Sequence, residues 1–133
     1  AMKTTAAILL GFALFMTAAI AASEAAPASC GKASWYAMTS LTASGERASP
    51  NTMTAAHRTL PFGTKVRVTN QRNGKAVVLR INDRGPFTKG RIIDVTKVAA
   101  SQLGFVNAGW TDVKIEPLNK LNHPKVQAVS QTC

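Results

Sequence analysis

Short runs of β-type residues separated by turn signals constrain the fold of this chain more than any other feature. Asn73-Gly74 joins two β-type segments, Val66–Thr69 and Ala76–Leu79, which predicts a tight hairpin. One helix is predicted, with Thr96 as its N-cap and Gly104 just past its end. Many short strands and one helix within about 90 residues favour a compact β-barrel over a parallel α/β sheet. The predicted strands cover Lys32–Ala37, Thr64–Asn70, Lys75–Ile81, Arg91–Val95 and Trp110–Leu118.

Length and composition exclude several classes of protein. The 133 residues suit one small domain, and a hydrophobic content of 46% is too high for a disordered chain. The chain has two cysteines and two histidines, and His57 and His123 are far apart without zinc-ligand spacing. We therefore expect no metal and no cofactor.

The N-terminal residues have the pattern of a secretory signal. Lys3 precedes the apolar run Ile8–Ile20, and small residues follow that run. Cleavage is expected between Ala21 and Ala26. An uncleaved anchor helix over Thr4–Ala22 is the alternative, since that segment is nearly long enough to span a bilayer.

Three segments are predicted. Residues 1–25 form the signal peptide, with Ala1 interpreted as a cloning remnant, and residues 26–118 form the barrel. Residues 119–133 form a polar C-terminal tail held by Cys133. We expect a periplasmic or secreted monomer with no integral membrane span after cleavage.

Export changes how the two cysteines are interpreted. An oxidising compartment allows Cys30 and Cys133 to pair, so a disulfide that ties together the ends of the mature domain is predicted. Lipid modification of Cys30 is the alternative. It is disfavoured because Pro27-Ala28-Ser29, just before the cysteine, lacks a large aliphatic residue.

The charge of the chain is strongly positive. Lys and Arg number 16 against 6 Asp and Glu, and the loss of Lys3 and Glu24 with the signal leaves the formal charge at +10. Nucleic acid is the usual partner of such a charge, but an exported protein meets chiefly anionic envelope polymers. Cell wall is therefore expected as the partner and nucleic acid is not, although a role of the charge in solubility alone stays open.

Only five acidic residues follow the signal, and they differ in context. Asp112 and Glu116 alternate with apolar residues and are interpreted as solvated strand residues. Asp94 precedes the helix cap and is interpreted as structural, with its carboxylate near the helix N-terminus. Asp83 opens a turn at a strand end, a position typical of catalytic groups, although capping of its own backbone is equally compatible with the pattern.

Several motifs together resemble one family. The chain is similar to the rare lipoprotein A family of bacterial lytic transglycosylases from about Gly31 to Leu118. Several motifs match in the same order, which argues against a chance similarity. The matching segments are Gly31–Tyr36, Thr42–Glu46, Thr54–Thr64, Val68–Asn70 with Asn73-Gly74, Ile81–Phe87 and Arg91–Asp94.

The resemblance implies a fold, a substrate and a set of catalytic residues. The fold would be a mainly β, six-stranded double-psi β-barrel with one or two short helices. The substrate would be peptide-poor glycan of peptidoglycan, cleaved between MurNAc and GlcNAc with formation of 1,6-anhydroMurNAc. Asp83 would be the general acid and base, and Glu46 and His57 would line the same groove. One acid suffices for this route because the 6-hydroxyl of the sugar is the nucleophile.

Three further residues are candidates for substrate binding. Tyr36 lies on the strand face opposite Trp35, Arg84 could meet substrate carboxylates, and Asn82 adjoins Asp83. Two other functions remain open for the same fold, because fold alone does not decide function. One is a non-catalytic, wall-loosening module of expansin type, and the other is a secreted interaction protein or inhibitor related to barwin-like domains.

Overall fold

The computed structural model describes residues 28–118 together with residues 11, 13 and 14. The predicted cleavage region before residue 28 and the predicted tail, including Cys133, lie outside the described residues, so the predicted disulfide stays a prediction. Within the described part of the chain, no helix is long and apolar enough to cross a membrane. The elements are β1 (Ser29–Tyr36), β2 (Thr54–Ala56), β3 (Lys65–Asn70), β4 (Ala76–Asp83), β5 (Arg91–Thr96), α1 (Lys97–Leu103) and β6 (Trp110–Pro117).

The six strands close into a barrel in the order β1-β5-β2-β4-β3-β6, with β6 pairing back onto β1. The β1–β5 and β2–β4 pairs are parallel, whereas the remaining neighbours are antiparallel. Closure leaves no unpaired sheet edge. The predicted mainly β barrel with one short helix is confirmed.

Alternation along the strands builds the core. On β3, Val66 and Val68 are fully buried while Lys65 is exposed, and β6 repeats the pattern with Val113 and Ile115. Each such aliphatic side chain contributes roughly 1.5–3 kcal/mol through burial. The outward-facing positions of the same strands are therefore the ones available for chemistry.

The predicted hairpin forms, but its turn is longer than expected. The N–H of Asn70 donates to the carbonyl of Lys75 at 2.8 Å, so residues 71–74 make up the loop. The side chains of Asn70 and Asn73 both donate to the Leu103 carbonyl at 2.9 Å. This loop is thus fixed to the end of the helix, a tertiary contact that local sequence does not reveal.

The helix has the predicted limits with a different N-terminal contact. Gly104 has φ of 81° and ends the helix in the left-handed conformation, as expected. Thr96 occupies the N-cap position, yet its hydroxyl makes no capping bond and donates to the carbonyl of Thr52 at 2.5 Å. Strand β2 was not predicted, because its three residues are all buried and therefore show no alternation.

Candidate active site

Asp83 ends strand β4 at the rim of the barrel. Its Oδ1 accepts hydrogen bonds from the backbone N–H groups of Ala43 and Arg84, both at 2.9 Å. The chain then turns at Gly85, whose φ of 119° is unfavourable for a residue with a side chain. The Gly85–Pro86 peptide bond is cis. Among the described residues none donates a hydrogen bond to Oδ2. One carboxylate oxygen therefore holds the loops together, and the other differs from it in making no hydrogen bond within the described residues.

His57 follows strand β2, next to Asp83. Its Nδ1 accepts hydrogen bonds from the backbone N–H groups of Thr59 at 3.2 Å and Leu60 at 3.1 Å. In the neutral ring the proton must then lie on Nε2, because backbone N–H groups can only donate. Burial lowers the pKa of His57, and the nearby charges of Arg84 and Arg58 lower it further. At neutral pH this imidazole is a hydrogen-bond donor through Nε2.

Glu46 is held by an arginine on β4. The Arg80 guanidinium donates two parallel hydrogen bonds to the Glu46 carboxylate, at 2.7 and 2.8 Å. These bonds are the main cause that lowers the pKa of Glu46, so the side chain is ionised at neutral pH. Glu46 therefore supplies a fixed negative charge and no proton.

Residues 41–47 form a loop that covers the outer face of β4. The loop is closed by a bridge between Leu41 and Arg47, and it contacts β4 where the Ser44 N–H donates to the Asn82 carbonyl at 3.3 Å. Asn82 is only 1% exposed beneath it, and its side-chain amide helps to lower the pKa of Glu46. This placement favours support of Glu46 over direct contact with a substrate.

Tyr36 lies at the end of β1, facing away from Trp35, which packs against the core. Burial raises the pKa of Tyr36 to about 12, and the Asp83 carboxylate adds to the rise, followed by those of Asp94 and Glu46. The Thr54 hydroxyl is close enough to offset part of this rise, yet Tyr36 Oη has no partner with hydrogen-bond geometry among the described residues. The Tyr36 hydroxyl is thus a buried polar group without a hydrogen-bond partner among the described residues, in the field of three carboxylates.

Two arginines brace the loops around Asp83. Arg84 donates from Nη1 to the carbonyls of Leu60 at 2.8 Å and His57 at 3.3 Å, and its guanidinium lies 4.0 Å from the Phe62 ring centroid. Arg58 donates from Nε to the Pro86 carbonyl at 2.6 Å. The predicted ligand-binding side chain of Arg84 is thus directed at the loop after β2.

A family model described as "Lytic transglycolase" matches residues 28–115, about two thirds of the chain. The chain belongs to the lytic transglycolase family. The predicted resemblance is therefore confirmed, and the barrel of this lytic transglycolase domain is a double-psi β-barrel.

Curated relatives agree with this assignment. The domain is 62% identical over 79 residues to the "Probable endolytic peptidoglycan transglycosylase RlpA" of Nostoc sp., covering 59% of this chain and 21% of that protein. It is 56% identical over 91 residues to the "Endolytic peptidoglycan transglycosylase RlpA" of Neisseria meningitidis serogroup A, covering 66% of this chain and 38% of that protein. The chain thus spans well under half the length of these relatives.

Solved structures share the fold at low sequence identity. The Streptomyces papain inhibitor matches with a TM-score of 0.60 at 18% identity, covering 71% of this chain and 97% of the inhibitor. The apo expansin of Clavibacter michiganensis matches with a TM-score of 0.57 at 20% identity, covering 71% of this chain and 52% of the expansin. These matches establish the fold of the lytic transglycolase domain.

Two residues near the site make contacts that the sequence did not predict. Arg80 holds Glu46, and Asp94 lies on the outer face of β5, where it pairs with Arg91 at 2.8 Å and accepts a hydrogen bond from Ser34. The expected place of Asp94 at the helix N-terminus was wrong, because the strand turns its side chain onto the barrel surface. The spacing of Arg80 and Asn82 on one face of β4 was the available signal for Arg80.

Proposed function

We propose that this domain is an endolytic lytic transglycosylase that cleaves the MurNAc–GlcNAc bond of peptide-poor peptidoglycan strands. The main support for the proposal is that the two oxygens of the Asp83 carboxylate have different surroundings. Oδ1 is fixed by two backbone amides, and Oδ2 has no hydrogen bond within the described residues. The relatives' printed names supply the substrate class.

The chemistry needs one carboxyl group and no water. Protonated Asp83 gives its proton to the glycosidic oxygen, the bond from MurNAc C1 to that oxygen breaks, and GlcNAc leaves with its new hydroxyl. The 6-hydroxyl of the same MurNAc then bonds to C1, and the Asp83 carboxylate takes the proton that this hydroxyl loses. The product is a 1,6-anhydroMurNAc end, and Asp83 regains its starting protonation state. A hydrolase would need a second carboxyl group to activate water.

Three carboxylates act on the Tyr36 hydroxyl in a protein whose formal charge is +10. The carboxylates of Asp83, Asp94 and Glu46 all raise the pKa of Tyr36, so each lies within electrostatic range of its hydroxyl. The Asp83 carboxylate that forms as the proton leaves would stabilise the positive charge that develops at C1. The His57 Nε2–H would donate a hydrogen bond to a sugar hydroxyl, whereas the Tyr36 hydroxyl is buried and acts on the site through its surroundings.

Product analysis tests the proposal. Peptide-free glycan strands are incubated with the wild type and with Asp83→Asn, and the products are separated by mass. We expect anhydro ends from the wild type and a loss of at least about 100-fold in Asp83→Asn, the scale of general acid–base catalysis. Glu116→Gln is the matched control, because Glu116 lies at the opposite end of β6 from Trp110 and pairs with Lys114.

Each outcome separates the candidate functions. Anhydro ends that persist in Asp83→Asn would remove Asp83 from the mechanism. Tight strand binding without new ends would favour the expansin-type module, and neither binding nor cleavage would favour the secreted interaction protein. We also propose that the domain works outside the cytoplasm, since peptidoglycan lies there; an N-terminus near residue 26 on the exported protein is the test.

A further inference from the structure

A second cluster of residues lies beside the site, on the outer face of β1, β5 and β6. It lines an open depression of about 490 Å³ formed by Lys32, Ser34, Lys89, Arg91, Gly109 and Trp110. We call it the Trp110 depression. No step of the proposed mechanism uses it.

An aromatic ring surrounded by cations defines the Trp110 depression. Trp110 is 40% exposed, so part of its ring is open to solvent. The Lys32 ammonium lies 4.9 Å and the Arg72 guanidinium 4.2 Å from its ring centroid. An anionic ligand lying against this ring would meet positive charge within a few ångströms.

The cations of the Trp110 depression are incompletely neutralised. Arg91 pairs with Asp94, and Arg72 pairs with Asp112 at 3.5 Å. Lys32 lies opposite Asp112 in the β1–β6 ladder, but neither Lys32 nor Lys89 forms an ion pair within residues 28–118. Arg91 Nε is buried without a hydrogen-bond partner in the described chain. Two ammonium groups are therefore free to bind an anion.

The Trp110 depression and the candidate active site lie on neighbouring strands of the barrel. Ser34 pairs with Asp94 of β5, and Ala56 of β2 pairs with both Asp94 and Asp83. Ser34 lines the depression and donates a hydrogen bond to Asp94, whose carboxylate also acts on Tyr36. Tyr36 follows Ser34 by two residues on the same face of β1, a separation of about 7 Å. A polymer bound over Tyr36 and Asp83 can thus extend into the depression.

We propose that the Trp110 depression is an additional glycan subsite, in which a sugar ring packs on Trp110 and Lys32 and Lys89 bind free lactyl carboxylates of muramic acid residues. The inference rests on the proposed function, which supplies the polymer. The lactyl carboxyl of MurNAc is an uncharged amide while a stem peptide is attached, and it is an anion once the peptide is removed. The subsite therefore distinguishes peptide-free glycan by the negative charge of its lactyl carboxylates.

Binding measurements test the subsite apart from catalysis. The full chain carrying Asp83→Asn is titrated calorimetrically with peptide-free glycan strands and with the same strands after their carboxylates are converted to methyl amides. We expect Lys32→Gln/Lys89→Gln to weaken binding of the carboxylate strands about fivefold or more. The lysine double variant should bind the amidated strands as tightly as the Asp83→Asn parent protein binds them. Thermal unfolding confirms that each variant is folded.

A matched variant controls for net charge. Lys75→Gln/Lys97→Gln removes the same charge from two other exposed lysines, and a change of less than about twofold is expected. Equal losses in both double variants, or an equal loss on amidated strands, would overturn the proposal. Tighter binding of a glycerol-phosphate polymer than of the glycan would overturn it as well.

Tryptophan fluorescence gives an independent readout, since the chain has two tryptophans. Glycan binding should shift the emission of the wild type and leave that of Trp110→Phe unchanged, because Trp35 packs against the core. If anhydro ends form but the lysine variants do not change binding, only the subsite proposal is contradicted. Carboxylate-dependent binding without anhydro ends would instead sink the proposed catalysis.

Discussion

The backbone N–H of His57 donates a hydrogen bond to the carbonyl oxygen of Asp83 over 3.1 Å. The bond continues the parallel pairing of β2 with β4, in which Ala56 already lies opposite Asp83. Two neighbouring strand ends thus hold the backbones of His57 and Asp83 side by side at the rim. Rigid elements of this kind position catalytic groups more accurately than isolated loops do.

His57 should be a neutral Nε2–H tautomer with a pKa below the ordinary 6.5, because burial disfavours its charged form. Its contribution to the free energy of unfolding should be complete above pH 6.5. It should be lost as the pH falls from 6.5 toward the folded-state pKa, since the unfolded chain then binds the proton first. NMR titration of the ring nitrogens checks this, and His57→Gln assigns the signals against His123. A midpoint at or above 6.5 would contradict the placement.

Tyr36 offers a spectroscopic probe of the site, because it is the only tyrosine in the sequence. Absorbance titration should give a pKa of about 12 for the folded protein and about 10.0 in urea. The stabilisation is complete below pH 10 and is lost as the pH rises from 10 toward 12. Asp83→Asn should lower the Tyr36 pKa by removing a neighbouring negative charge, whereas Asp112→Asn should not. Identical titrations for both variants would show that Asp83 and Tyr36 do not interact.

The Glu46–Arg80 pair should contribute a modest coupling to stability. Its two side chains are 36% and 40% exposed, so a double-mutant cycle with Glu46→Gln and Arg80→Gln should give about 0.5–1 kcal/mol. Because the pKa of Glu46 is lowered, the coupling should persist above pH 4.5 and disappear as the pH falls through the folded-state pKa. Urea unfolding of the four proteins measures it. Strict additivity at pH 7 would be the contrary result.

Asn70 should be far more important to stability than its neighbour Asn73. Asn70 is 2% exposed, donates to the Leu103 carbonyl and accepts from the Thr111 hydroxyl at 2.7 Å and the Arg72 N–H at 3.0 Å. Asn70→Ala leaves buried donors unpaired, so a loss of about 2–3 kcal/mol is expected. Asn73→Ala, the matched control, should cost about 1 kcal/mol, because Asn73 is exposed and Asn70 still satisfies Leu103. Equal losses in thermal or urea unfolding would refute the difference.

Much of the fold could be predicted because its signals are local. Alternation on β3 and β6 reflects one buried face per strand, and Gly104 ends the helix through its own backbone conformation. Strand β2 gave no signal, since both of its faces are covered. The longer hairpin loop and the different contact of Thr96 also depend on partners that are distant in sequence.

The sequence by itself determined that Asp83 stands at a strand end, that His57 and Glu46 belong to the same motif set, and that the charge is strongly positive. Only the tertiary structure decided which atoms of these residues take part in hydrogen bonds. Arg80 fixes Glu46 as an anion, backbone amides fix the tautomer of His57, and Ala43 binds one oxygen of Asp83. These contacts join residues up to 40 positions apart, as for Ala43 and Asp83, and only barrel closure brings them together.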